Sequence, residues 1–94
     1  MVVYPKIKAV KPLKNYRLHV TFQNGERKIY DCSALLEKPV FQPLKNKAFF
    51  KAVRVDQGGY GISWTEDIDL AEAELWVNGV PVEVDGEMEE AMTG

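Results

Sequence analysis

Residues 16–31, YRLHVTFQNGERKIYD, decide the fold. Asn24-Gly25 stands between two runs of alternating apolar and polar residues. That dipeptide is a strong hairpin signal, because a two-residue type I′ turn requires positive φ at both central positions. On the strand before it, Tyr16, Leu18, Val20 and Phe22 share one face, and Arg17, His19 and Thr21 share the other. With Asn24 and Gly25 as the whole loop, Val20 faces Ile29, Thr21 faces Lys28, and Tyr30 falls opposite His19 on the polar side. A three-residue loop would set Lys28 against Val20, so the first register, which keeps charge off the apolar face, is the one expected.

Outward from this hairpin, the upstream segment 2–13 reads as a strand, with Ile7 and Ala9 alternating with Lys6 and Lys8 and with Pro5 and Pro12 near its limits. Asn15 marks the turn between the two. Downstream, Ser33 is placed to cap a short helical turn through Leu36 that Pro39 ends. Residues 39–53 supply Val40, Phe41, Leu44, Phe49 and Phe50, too many large apolar groups for a solvated loop, and read as irregular chain with short helical turns covering the sheet. A second hairpin turns at Gln57-Gly58-Gly59 between Val53–Val55 and Tyr60–Trp64, and Gly61 signals a bulge or a close backbone approach. Asp69 and Glu72 have capping-box spacing, which predicts a helix over residues 70–77 with Leu75 and Trp76 inward and Asn78-Gly79 as its stop. Val80, Val82 and Val84 fit an edge strand, and residues 85–94, DGEMEEAMTG, an acidic disordered tail. The expected architecture is a single α+β domain over residues 1–84: an antiparallel sheet built from two β-hairpins, with short helices and one capped helix near the C-terminus.

Ninety-four residues suffice for one core without help from a metal or a disulfide. Cys32 is the only cysteine, which makes a reducing, cytoplasmic compartment the simplest expectation. Neither a signal peptide nor a run of eighteen apolar residues is present, so no membrane association is expected. The net charge of −2 hides a division: residues 1–54 carry all twelve Lys and Arg against three acids, while residues 55–94 carry eleven acids and no base. Such a division fits a basic face for nucleic acid, an acidic segment for a basic partner, or mutual neutralisation in the fold.

The chain resembles the bacterial family of small domains catalogued as domain of unknown function 2442. The likeness is carried by Tyr16, Leu18, Val20 and Phe22 with Asn24-Gly25, by Tyr30-Asp31 and Leu35-Leu36, by Phe41, Leu44, Phe50 and Val53, and by Ile62-Ser63-Trp64, Ile68-Asp69-Leu70 and Leu75-Trp76. The resemblance implies an α+β fold with an antiparallel sheet and short helices, and no established activity. Some relatives continue into a helix-turn-helix domain, absent here, and many are encoded beside another small protein in a toxin–antitoxin-like arrangement, which implies a protein partner.

Residues with chemical potential are few. His19, the only histidine, has no carboxylate or cysteine near it in sequence and reads as a surface strand residue. Cys32 reads as a half-buried filler rather than a nucleophile. Glu66, Asp67 and Asp69 lack the calcium-loop pattern and read as capping and solvated groups. Gln57 to Gly61 has neither the P-loop nor the dinucleotide fingerprint. One Cys and one His do not make a zinc site. No enzyme, metal or cofactor is expected. What remains is a surface: Lys6, Lys8, Arg17, His19, Thr21, Lys28 and Tyr30 are expected to point off one side of the sheet as an interaction face. The function expected is a non-enzymatic protein-interaction module, the antitoxin-like or regulatory member of a two-protein system, docking by its sheet face or its acidic tail on a small basic protein encoded nearby. The alternative is nucleic-acid binding by that basic face, with Tyr30 as the stacking aromatic.

Overall fold

The computed structural model describes residues 3–82. In chain order these form β1 (Ile7–Leu13), β2 (Arg17–Phe22), β3 (Arg27–Asp31), α1 (Lys47–Phe50), β4 (Arg54–Val55), β5 (Gly61–Thr65), β6 (Ile68–Ala71), α2 (Glu72–Asn78) and β7 (Val80–Pro81). The strands make two antiparallel sheets, one ordered β1-β2-β3-β7 and the other β4-β5-β6. The fold is α+β as expected, and each of the two hairpins lies in its own sheet.

The register of the central hairpin differs from expectation by one residue. Val20 pairs with Lys28 and Leu18 with Tyr30, while His19 faces Ile29. The loop explains why. Only Gly25 has positive φ (93°), so a type I′ turn, which needs two such residues, does not form. Instead Gly25 N–H donates to Phe22 O at 2.9 Å and Phe22 N–H to Glu26 O at 2.8 Å, enclosing three loop residues, and Asn24 Oδ1 accepts from Glu26 N–H at 2.9 Å. Because side chains alternate with period two, the shift moves Lys28 and Tyr30 to the core side and Ile29 outward. Tyr30 is 5% exposed and Lys28 9%.

A buried lysine needs partners, and Lys28 has two. Its ammonium donates to the Trp76 carbonyl near the C-terminal end of α2 and lies 3.7 Å from the centre of the Trp76 ring. Tyr30 Oη donates to Glu74 Oε2 at 2.8 Å, and Asn78 Nδ2 donates to the same oxygen at 3.0 Å. Thus β3 holds α2 by polar contacts made from its inward face.

The strand expected over residues 2–13 begins at Ile7. A bulge at Lys8–Ala9 leaves both residues exposed and turns Ile7 and Val10 to the same, inner side. Asn15 marks the turn into β2, with Asn15 and Tyr16 both at positive φ. Tyr16 is held there by its hydroxyl, which donates to Lys45 O at 2.7 Å, and by edge contact with Phe50.

Ser33 does not cap the turn that follows β3. Asp31 Oδ1 accepts from Ser33 N–H at 2.8 Å, an Asx turn that launches the 3₁₀ helix Ser33–Glu37. Pro39 ends that helix and occupies the first position of the next, Pro39–Lys45. This segment and α1 cover the core with Leu44 and Phe50, both fully buried, as the apolar content required. Phe50 stacks on Trp64 at 6.1 Å, and its carbonyl accepts from Trp64 Nε1 at 2.9 Å.

Asp69 caps no helix. Residues 68–71 form β6, with Ile68 and Leu70 buried and Asp69 and Ala71 exposed, a period of two that outweighs the capping-box spacing. Asp69 pairs with Ser63 on β5, and α2 starts after Ala71 with Glu72 and Glu74 in its first turn. Gly61 makes a close approach: a Cβ there would lie 2.6 Å from Leu70 O. Gly59, at φ +78°, sits over β1, where a Cβ would lie 2.5 Å from Ile7 O. The sheets share one core, built from Leu18, Val20, Phe22 and Tyr30 of the first and Ile62, Trp64, Ile68 and Leu70 of the second. The edge strand expected from Val80 is β7, and Val82 N–H donates to Arg27 O at 3.0 Å. Val84 and the tail expected over residues 85–94 lie outside the described residues.

Candidate interaction surface

The outer face of the four-stranded sheet follows from the observed pairing. Its rows read Leu13–Arg17–Asp31, then Lys11–His19–Ile29–Val80, then Ala9–Thr21–Arg27. Side chains opposite one another lie about 5 Å apart at Cβ, so each row is a line of touching groups. Of the residues expected on an interaction face, Arg17, His19 and Thr21 are here, all half-buried, with Lys8 exposed at the bulge on the rim. Lys28 and Tyr30 are not, for the reason of register given above. Lys6 precedes β1 and turns away, its ammonium 4.0 Å from Glu72 Oε2 and 4.6 Å from the Tyr60 ring centre.

Lys11, Arg27, Ile29 and Val80 join the face instead. Arg27 and Ile29 were within reach of sequence reasoning, since a three-residue loop puts both beside Thr21 and His19. Val80 required knowing that the last strand pairs with the third. Val80 is 65% exposed and lies beside Ile29 at the β7 edge. The face is therefore cationic with an apolar strip along one edge.

The charge division of the sequence persists in part, although Lys6 meets Glu72, Arg54 stands among acids and Asp31 lies in an outer-face row. Lys8, Lys11, Arg17 and Arg27 belong to the four-stranded sheet, whereas Glu66, Asp67, Asp69, Glu72 and Glu74 belong to the β5–β6 turn, β6 and α2. On the acidic side a shallow depression of about 300 Å³ is lined by Arg54, Asp56, Ser63, Thr65, Glu66 and Asp69. Within it Ser63 Oγ donates to Asp56 Oδ1 at 2.6 Å. Among the described residues no group of three or more His, Cys, Asp and Glu is arranged to hold a metal ion, and no helix is long and apolar enough to cross a membrane.

Cys32 is fully buried rather than half-buried, and burial, with the Asp31 carboxylate beside it, pushes its thiol up to about 12. Burial likewise raises the Tyr30 phenol, reinforced by its bond to Glu74. A thiol held protonated is a poor nucleophile. Iodoacetamide at pH 8 is expected to leave Cys32 unmodified in the folded chain and to alkylate it once urea is added, as intact mass reports; rapid modification without urea would contradict its burial. The unfolded thiol ionises from about 9 and the folded one from about 12, so the unfolded state loses its proton first. The thiol's contribution to stability is complete below pH 9 and lost as pH rises between those values.

A family model described as "Protein of unknown function (DUF2442)" matches residues 7–81. No curated protein and no solved structure matches the chain.

Proposed function

The chain belongs to the family described as Protein of unknown function (DUF2442), and from that premise we propose that it is a non-enzymatic protein-interaction module, the antitoxin-like or regulatory member of a two-protein system. The observation that carries this reading is the outer sheet face, where Ile29 and Val80 lie among Arg17, Arg27 and Lys11. Arginine with apolar groups on a flat surface is the composition of docking interfaces, whose strength comes from a few desolvated anchors. The withdrawal of Cys32 into the core supports a role without covalent chemistry. The partner we propose is a small protein, encoded nearby, that offers acidic and apolar groups to this face. A basic partner would be drawn instead to the acidic side formed by β6 and α2.

Co-expression with the product of the adjacent gene, followed by co-purification at about 150 mM salt, is expected to recover a complex that Val80→Asp or the pair Arg17→Glu, Arg27→Glu abolishes. Separate elution of the unaltered proteins would remove the reading. Loss caused by Asp69→Lys and Glu72→Lys, with the outer-face variants still bound, would move the interface to the acidic side. The cations of the outer face also suit a phosphate backbone, the second reading. It predicts a mobility shift with single-stranded nucleic acid at low salt that falls steeply as salt rises. With Tyr30 in the core, that binding would lack the expected stacking aromatic.

A further inference from the structure

The outer strands of the two sheets differ in how their edges are closed. Val82 N–H donates to Arg27 O, so the outward position on β7 falls to Pro81, which has no N–H to offer. β1 carries Pro12, and β4 and the turn at Gly59 pack along it. β6 is left: it holds no proline, and Asp69 and Ala71 are exposed on it. The ladder shows what this edge presents. Gly61 O accepts from Asp56 N–H, so Gly61 gives its backbone groups to β4, and Tyr60 O accepts from Glu72 N–H, so Leu70 and Glu72 face β5. Asp69 and Ala71 therefore turn their N–H and C=O groups outward, and among the described residues no backbone group pairs with them there.

We propose that β6 accepts an extended, basic segment of a partner protein as a further strand of the β4-β5-β6 sheet. An open edge holds extended chain by main-chain hydrogen bonds, and the side chains beside it select the occupant. Asp69 stands on the outer face of this sheet opposite Ser63, and shares the depression there with Asp56, Glu66 and Arg54, three carboxylates to one guanidinium. A residue opposite Asp69 on an added strand comes within about 5 Å of it at Cβ. Arg54 is two strands from Asp69, about 10 Å away. A lysine or arginine on the added strand therefore meets the carboxylate at closer range than it meets Arg54. The neighbours of that residue turn to the inner side, where Ile68 and Leu70 are buried, so the segment alternates basic with apolar residues. A second copy of this chain does not suit the edge, because two β6 strands side by side would set Glu66, Asp67 and Asp69 of both chains against one another, and like charges across a ladder destabilise it. The binding draws on no residue of the four-stranded sheet, so it is independent of the docking role proposed above.

A short synthetic peptide of alternating lysine and valine, titrated into the full chain and followed by nuclear magnetic resonance, tests the proposal. Amide exchange at Asp69 and Ala71 is expected to slow about tenfold near saturation, since only the unoccupied fraction then exchanges. The same peptide with alternate backbone nitrogens methylated keeps its charge but cannot complete the ladder, and is expected to give no protection. Ala71→Pro is the counterpart on the protein. Ala71 has φ −78°, which suits proline, and the N–H removed is one that β5 does not use, so the urea midpoint is expected to hold. Peptide binding is expected to fall at least about fivefold, the worth of one ladder hydrogen bond. Asp69→Asn is expected to weaken binding and to flatten its dependence on salt. Equal binding of the methylated peptide, signal shifts without protection at Asp69 and Ala71, or shifts centred on the four-stranded sheet would each overturn the proposal. So would an absence of binding at about 1 mM peptide.

Discussion

Phe50→Ala is expected to cost about 3–5 kcal/mol of stability, a large share of the roughly 5–15 kcal/mol available to a domain. Phe50 is fully buried, meets the edge of Tyr16 at 5.4 Å and stacks on Trp64 at 6.1 Å. Truncation leaves both aromatics facing a void, and neither relaxes freely. Tyr16 is tied through its hydroxyl to Lys45 O, and Trp64 through Nε1 to the carbonyl of residue 50 itself. Its helix cannot compensate. α1 is one turn long, capped by Asn46 Oδ1 accepting from Phe49 N–H at 3.0 Å, and a single turn has little stability of its own. Residues 39–53 are therefore held mainly by what they bury. Urea unfolding followed by tryptophan fluorescence reads the loss, with Val40→Ala, at a half-exposed site of the same segment, expected to change stability by less than about 0.5 kcal/mol. Equal effects from the two substitutions would mean that Phe50 is not the anchor.

The second large effect is expected from Gly59→Ala, and Gly25→Ala is its control. Both glycines have positive φ, so both substitutions carry the left-handed backbone penalty of about 1–2 kcal/mol. Their surroundings separate them. A Cβ at Gly25 meets nothing within 4 Å, whereas one at Gly59 would lie 2.5 Å from Ile7 O and 3.0 Å from Ile7 N. The Gln23 amide, also 3.0 Å away, can swing aside, but the two Ile7 atoms are backbone inside a paired strand and cannot. The turn Gln57–Gly59 would lift from β1, parting the two sheets where they meet. Gly59→Ala is therefore expected to lower the urea midpoint at least twice as far as Gly25→Ala. Matching midpoints would show that β1 and the turn move apart at no cost.

Much of this fold is legible in the residues. Leu18, Val20 and Phe22 announce their face by alternation, and the apolar content of residues 39–53 requires a buried segment. The register of the hairpin is harder, for a physical reason. Asn24-Gly25 reports that the chain turns, not how many residues the turn encloses, and one residue of difference inverts β3. A local comparison of Lys28 with Ile29 favours burying the isoleucine. The comparison reverses only when the Trp76 carbonyl and ring are included, and these lie 48 residues away. Asp69 shows the same limit: a capping pattern and a strand alternation occupy the same residues, and pairing with β5 decides between them. The register acts on β3 alone, so the outer face keeps Arg17, His19 and Thr21 of the second strand and presents Arg27 and Ile29 in place of Lys28 and Tyr30.

The strand order β1-β2-β3-β7 also has a meaning in time. β1, β2 and β3 are neighbours in sequence and can pair as soon as residue 31 is free of the ribosome. The outer edge of β3, however, waits for Val80 and Pro81, and buried Lys28 waits for Trp76. Contacts of such long sequence separation form late, so a nascent chain carries an unpaired β3 edge, with Lys28 still in water, until those residues emerge. Until β7 arrives, β3 is the place where a chaperone, or a neighbouring nascent chain, finds the sheet open.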